Sequence, residues 1–295
     1  MSAAPTLSRL LLDRDDASKE ALLAEIARRL EALGDLSEVD EDDPRTLLDF
    51  LLRMARHELD FAPAEAPAAL RAPLEAHLSR RPAESVDHAQ LFIDLDSSLR
   101  RAGIVASALG EGRACLAVGD DDALSLALLV RGVRARVVAV DIDEGLLEFL
   151  SREARAMGHA LETRRVDVHE DEPPASFLDA FDVVVTDPPR SYDEAIAFLA
   201  FAARCLAPSP ASRLFYADHP DWNPEHGDVI EALPGLGLEL VAIHRSAHRY
   251  PLTASWVPEL PRRAEALGVS ADWLRALIQA VPAHSDLHEL RPVTR

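Results

Sequence analysis

From about Ser85 onward the chain alternates short apolar runs with amphipathic stretches, and this alternation restricts the fold more than any other feature. The runs are Ala114–Val118, Val137–Val140, Thr163–Val168, Val183–Thr186, Leu214–Tyr216 and Leu238–Ile243. Helical spacing fills the intervals at Phe92–Leu109, Ala123–Leu129, Glu144–Met157, Asp193–Leu206 and about Asp228–Leu233. Strands separated by crossover helices imply an α/β fold with a doubly wound, mostly parallel sheet. After Ile243 a strand expected at Ala254–Val257 returns too soon for a helical crossover, so the last strand is expected to be antiparallel.

Residues 1–85 read as a small helical N-terminal domain. Ser18 is the candidate N-cap of a helix in which Leu22, Leu23, Ile26, Leu30 and Leu33 keep helical spacing, and Gly34 closes it. The acidic run Asp35–Asp43 reads as a solvated loop, and Pro44 opens a second helix to about Leu59. Residues 61–84, rich in Ala and Pro, read as a connector. The α/β domain is expected over 86–260 and a helical tail over 261–295, with Ala271–Val281 its main helix.

Composition narrows the function classes. The 295 residues suffice for about two domains. With 31 Lys and Arg against 51 Asp and Glu, the net charge of −20 disfavours nonspecific binding to nucleic acids or anionic membranes. No apolar run reaches the roughly 18 residues of a membrane span, and a cytoplasmic location is expected. Lys19 is the single lysine, which sets aside Schiff-base catalysis and a P-loop. Cys115 and Cys205 read as core residues rather than nucleophiles or metal ligands.

In an open α/β sheet, ligands bind outside the carboxyl ends of the strands. Those ends here carry Gly119-Asp120-Asp121-Asp122, then Asp141-Ile142-Asp143, Asp167, Asp187-Pro188-Pro189 and Asp218-His219-Pro220. Each aspartate alone could be a helix N-cap. A rim of them repels itself and calls for a cation. Three aspartates where a dinucleotide fold has its glycine pattern would repel a pyrophosphate, which disfavours nicotinamide chemistry. Asp141 suits a ribose diol and Asp167 the amino edge of an adenine. Together they fit a nucleoside without phosphates, such as an adenosyl sulfonium.

The stretch Asp87-His88-Ala89-Gln90, Arg100-Arg101, Gly119 through Asp122, Asp141 through Asp143 and Asp187-Pro188-Pro189 resembles the branched-chain polyamine synthase family, over about residues 87–256. The resemblance implies a Rossmann-like domain. It also implies aminopropyl transfer from decarboxylated S-adenosylmethionine to a polyamine, with no resident metal. Asp120, Asp121, Asp122 and Asp187 would then inherit the polyamine and donor-amine contacts, and Asp141 the ribose. The expected donor site is Gly119, Asp120, Asp141, Ile142 and Asp167. The expected acceptor site is Asp121, Pro188, Pro189, Asp218 and Trp222. Two features depart from the family pattern. The N-terminal region lacks a clear winged-helix hairpin, and Arg190 follows the Asp-Pro-Pro turn, where it either enters the pocket or turns outward to Asp193.

The attacking amine must lose a proton, and Asp122 or Asp187 is the expected acceptor. The loop Asp218–Asp228 holds histidines and carboxylates, but its spacing matches no standard zinc pattern, and it reads as a substrate cover with Trp222 as a wall. His244 and His248 read as surface or supporting residues. Two other readings stay open: an S-adenosylmethionine-dependent methyltransferase, and a noncatalytic protein binding a nucleoside or polyamine. A homodimer is compatible with all three.

Overall fold

The computed structural model describes residues 16–33, 43–60, 68–253, 257 and 259–293. The chain separates into two compact units, Met1–Ala62 with Arg249–His284, and Pro63–His248 with Ser285–Arg295. In chain order the first elements are α1 (Asp16–Leu33), α2 (Pro44–Asp60), α3 (Ala68–Leu78), α4 (Leu95–Leu109), β1 (Ala114–Val118) and α5 (Leu124–Val130). Next come β2 (Arg136–Asp141), α6 (Glu144–Ala156), β3 (Glu162–Arg165), β4 (Val183–Thr186) and α7 (Tyr192–Cys205). The chain continues through β5 (Arg213–Asp218), α8 (His226–Ala232), β6 (Leu238–Tyr250), α9 (Leu260–Ala266), α10 (Ala271–Ala280) and β7 (Ala283–Pro292).

The α/β unit is built on a seven-stranded sheet of order β3-β2-β1-β4-β5-β7-β6. β1 pairs in parallel with β2 and β4, and the parallel pairing extends to β3 on one side and β5 on the other. Neighbouring residues of each central strand enter different cores, as the pleat requires. Cys115, Ala117, Val137, Ala139, Val183 and Val185 pack with α4, α5 and α6. Leu116, Val118, Val138, Val140 and Val184 pack with α7 and with Val229 and Leu233. Both cysteines are buried in these layers, and burial pushes the Cys205 thiol up to about 12.

The antiparallel strand is present but comes from elsewhere in the chain. β7 pairs antiparallel with β5, from Leu214 opposite Leu290 to Asp218 opposite Asp286. The expected helical tail over 261–295 therefore ends at α10, and its last ten-residue element belongs to the sheet. The expected strand at Ala254–Val257 falls mostly outside the described residues, at 254–256. β7 escapes a hydrophobicity pattern because four consecutive or near-consecutive buried positions, His284, Ser285, Asp286 and His288, are polar and interrupt Ala283, Leu287 and Leu290. Asp286 accepts from Arg245 Nη1 (2.6 Å) and the Ser246 N–H (2.7 Å), while His288 Nδ1 lies 3.3 Å from the Tyr216 carbonyl.

The N-terminal boundary also moves. α3 was expected within a helical domain ending at residue 85, yet it packs on the sheet unit through Leu74. Arg71 pairs with Asp96, and His77 and Arg80 reach Glu153 at 2.9 and 2.5 Å. In the helical unit Ile26, Leu48, Leu51 and Met54 are buried. There Glu58 accepts from Arg249 (3.0 Å) and lies 3.1 Å from His284 Nε2. Ser18 sits within α1 rather than at its start, while Gly34, the acidic stretch 35–42 and 61–67 of the connector lie outside the described residues.

Candidate active site

A cleft of about 240 Å³ opens over the carboxyl ends of the parallel strands. Its floor begins at Gly119, which leaves β1 at φ +70° and donates its N–H to the Val140 carbonyl (2.9 Å). Only glycine adopts this backbone without strain, and here a Cβ would also stand 3.2 Å from the Phe198 ring on the cleft wall. At the end of β2, Asp141 accepts from the Asp143 N–H (2.9 Å) and the Asp120 N–H (3.1 Å), one on each oxygen. Burial raises the Asp141 carboxyl against those two bonds. Asp143 caps α6 through the Leu146 N–H and also accepts from Gln90 Nε2 (3.0 Å), which ties the Val86–His88 turn to the rim.

The three consecutive aspartates enter three different environments. Asp120 is fully buried beneath the turn and accepts from the Ser125 N–H at 3.3 Å; burial outweighs Ser125 and the Arg101 charge and pushes its carboxyl up to about 7. Asp122 is equally buried, accepting from the Ile93 N–H (2.7 Å) and from Arg101 Nη2 (2.9 Å). Asp121 alone of the three lines the cleft. Among the described residues no donor lies within hydrogen-bond distance of its carboxylate; Arg81 instead holds its backbone carbonyl, at 3.1 Å. Burial and the charges of Asp122, Asp187 and Asp141 raise Asp121 well above the usual carboxylate range.

Asp187, at the end of β4, also faces the cleft, but it is claimed from behind by two guanidinium groups. Arg190 Nη1 lies 2.9 Å from one oxygen and Arg101 Nη1 3.4 Å from the other. Arg190 therefore turns inward rather than to Asp193. Its Nη1 also donates to the carbonyls of Pro188 (2.8 Å) and Ala217 (3.2 Å), and its guanidinium stacks 4.7 Å from the Trp222 ring centre.

Of the sequence-predicted residues, Gly119, Asp121, Asp141, Ile142, Asp167, Asp187 and Pro189 come together around this cleft. Asp120 and Asp122 stand behind its wall, Pro188 contributes a carbonyl to Arg190, and Trp222 packs on Arg190. Asp218 is not a cleft residue. It is fully buried and accepts from Tyr216 Oη (2.7 Å), Asn223 Nδ2 (3.1 Å) and the His219 N–H (2.8 Å), with His226 Nδ1 at 3.0 Å. Burial alone would raise Asp218, but these donors and Arg190 outweigh it and hold the carboxyl at about 2. The Asp218 carboxylate thus organises the loop after β5. His248 is buried against Ser285 Oγ (2.9 Å), as a supporting residue.

Sequence reasoning gave no role to Arg101, His169, Glu194 or Phe198. His169 Nε2 and Glu194 pair at 2.9 Å on the rim, an i-to-j contact between a loop and α7 that no local spacing announces. Arg101 had a signal, a guanidinium on the buried face of α4 with Leu99, Ala102 and Val105.

Residues 71–213 match the branched-chain polyamine synthase A C-terminal domain. This segment, just under half of the chain, is similar to the branched-chain polyamine synthase family. It is 35% identical to the N(4)-bis(aminopropyl)spermidine synthase of Thermus thermophilus over 114 residues, 38% of this chain and 33% of that protein. The enzyme of the same name from Thermococcus kodakarensis is 30% identical over 129 residues, 43% of this chain and 36% of the relative. The chain thus spans about a third of the length of the curated relatives it matches. In fold the likeness is broader: the Thermus thermophilus branched-chain polyamine synthase structure, in complex with N4-aminopropylspermidine and 5'-methylthioadenosine, superposes with a TM-score of 0.65. That match covers 93% of each chain at 22% identity. A Pyrococcus horikoshii protein described as a candidate RNA methyltransferase shares the fold at TM-score 0.50 and 14% identity, over 76% of this chain and 98% of its own. Among the described residues no helix is long and apolar enough to cross a membrane.

Proposed function

We propose that the chain is an aminopropyltransferase that uses decarboxylated S-adenosylmethionine to alkylate an aliphatic amine or polyamine. The observation that carries this reading is the carboxylate of Asp121, uncommitted on the cleft wall beside the nucleoside-type ledge of Gly119 and Asp141. In this reading Asp141 takes the ribose hydroxyls and Asp167 the adenine amino edge, with Ile142 against the base. The cognate product pair in the Thermus thermophilus structure, an aminopropylated spermidine and methylthioadenosine, supports the same donor chemistry here.

The reaction is a displacement at carbon. The amine nitrogen forms a bond to the propyl carbon attached to sulfur as that carbon–sulfur bond breaks, and methylthioadenosine leaves with the bond's electron pair. The nitrogen's proton passes to a carboxylate. Asp122 cannot easily serve, because it is buried off the cleft and bound to Arg101, and Asp187 is paired twice. We therefore assign the proton to Asp121, whose raised affinity for it suits a base working near neutral pH. The donor needs little further activation, so alignment in the cleft does most of the rest.

Mass spectrometry of reactions containing the decarboxylated donor and a series of amines is the direct test. Asp121→Asn should lower the rate by about 100-fold or more while methylthioadenosine still binds. Calorimetry should also show weaker binding of S-adenosylmethionine, whose carboxylate would meet Asp121, than of its decarboxylated form. The opposite order would favour the methyltransferase reading, and binding without turnover of any amine would favour the noncatalytic one.

A further inference from the structure

The carboxylates on the cleft wall are not equivalent, and the difference bears on the acceptor. Asp141 accepts from two backbone N–H groups and is assigned to the ribose, and Glu194 pairs with His169. Asp187 faces the cleft with a guanidinium on each oxygen. Among the described residues lining the cleft, Asp167 accepts from the His169 N–H (3.0 Å), and of the remaining carboxylates Asp121 is the one close enough to Asp187 to feel its charge. An aliphatic amine binds as a row of ammonium groups, and each desolvated ammonium needs its own carboxylate.

We propose that Arg190 masks Asp187 and so makes this cleft select acceptors of low positive charge, monoamines and short diamines, over tri- and tetraamines. The inference rests on the aminopropyltransferase reading and narrows its substrate class. Arg190 is well placed for the role because its position is over-determined. Two carbonyls, the Asp187 carboxylate and the Trp222 ring fix the guanidinium at once, so an incoming ammonium cannot displace it by breaking a single contact. A second ammonium approaching Asp187 would meet a neutralised carboxylate and, just behind it, a fixed positive charge. Arg190 is not among the residues lining the cleft; it acts through Asp187 and is a positioning residue.

The experiment compares kcat/KM for a mono-, di-, tri- and tetraamine series in the wild-type chain, Arg190→Gln and Arg190→Lys. The wild type should favour the mono- and diamines. Arg190→Gln should shift the tri- to diamine ratio toward the triamine by about tenfold or more, through KM rather than kcat, with methylthioadenosine affinity unchanged. Arg190→Lys keeps a cation beside Asp187 and should retain the wild-type preference, whereas a purely structural role would leave all ratios alike. A wild type that prefers the triamine, or an Arg190→Gln that changes every acceptor equally, overturns the proposal. If no amine is alkylated, the transferase reading fails on its own. Calorimetry of the same amines with methylthioadenosine present then decides the charge selection, for it by about tenfold tighter triamine binding in Arg190→Gln, or against it by equal affinities.

Discussion

Asp120 and Asp218 are both buried carboxylates, yet their surroundings push them in opposite directions. Asp218 collects four donors and is held at about 2, below its unfolded value of 3.8. Its stabilising contribution is therefore present above pH 4 and lost as the pH falls through about 2. Asp120 has only long contacts to Ser125 among the described residues, and burial raises it to about 7. Its folded form holds a proton that the unfolded chain has released between pH 4 and 7, so across that window it makes stability fall as the pH rises. Asp120→Asn mimics the neutral acid, and its effect should consequently depend on pH. At pH 8 the variant should be more stable than the wild type by roughly 1–4 kcal/mol, and at pH 4 the two should melt together. Thermal denaturation across pH 4–8 reads this directly, and a constant offset would mean that Asp120 stays ionised in the fold. The contrast explains how one Asp-Asp-Asp run yields a structural acid, a cleft carboxylate and an ion-pair partner, which is invisible in the identical letters.

At the level of elements, the turn after β1 couples backbone geometry to ligand shape. Gly119 combines a left-handed backbone with a close approach to Phe198 of α7. Gly119→Ala should destabilise the fold by about 1–2 kcal/mol from the strained φ alone. The added methyl also intrudes where Gly119 and Phe198 line the cleft, so methylthioadenosine binding should weaken by about tenfold or more. Unaltered binding with lowered stability would show that the nucleoside does not cross this turn. The elements around it were largely legible. β1, β2, β4 and β5 are apolar runs buried on both faces, and α4, α6 and α7 start at Asp94, Asp143 and Ser191, whose side chains cap the helices. β7 was not legible, because a strand carrying His284, Ser285, Asp286 and His288 inward has no hydrophobic signature and depends on partners distant in the chain. The same limit applies to the site: strand-end aspartates could be read from the strands, but which of them Arg101 and Arg190 neutralise is a tertiary fact.

On the scale of the whole molecule, the chain builds its two units in an interleaved order. It leaves the α/β unit after His248, supplies Arg249–His284 to the helical unit, and returns at Ser285. The returning segment is β7, which occupies the place between β5 and β6 rather than an edge. Residues that a sequence pattern assigns to a helical tail are thus central to the sheet. A chain ending at Ala280 would lose Leu287 and Leu290, both fully buried, at about 1.5–3 kcal/mol each. It would also strip β5 of its antiparallel neighbour and remove the Asp286 carboxylate that accepts from Arg245 and Ser246. Together these losses reach the typical total stability of a domain, about 5–15 kcal/mol. The truncated chain should therefore lose cooperative unfolding and methylthioadenosine binding together, although every cleft residue lies upstream of the cut. Calorimetric melting of the truncated and full-length chains, with and without methylthioadenosine, tests this. A truncated chain that still melts cooperatively and is still stabilised by the nucleoside would show that β1 to β5 hold the cleft without β7.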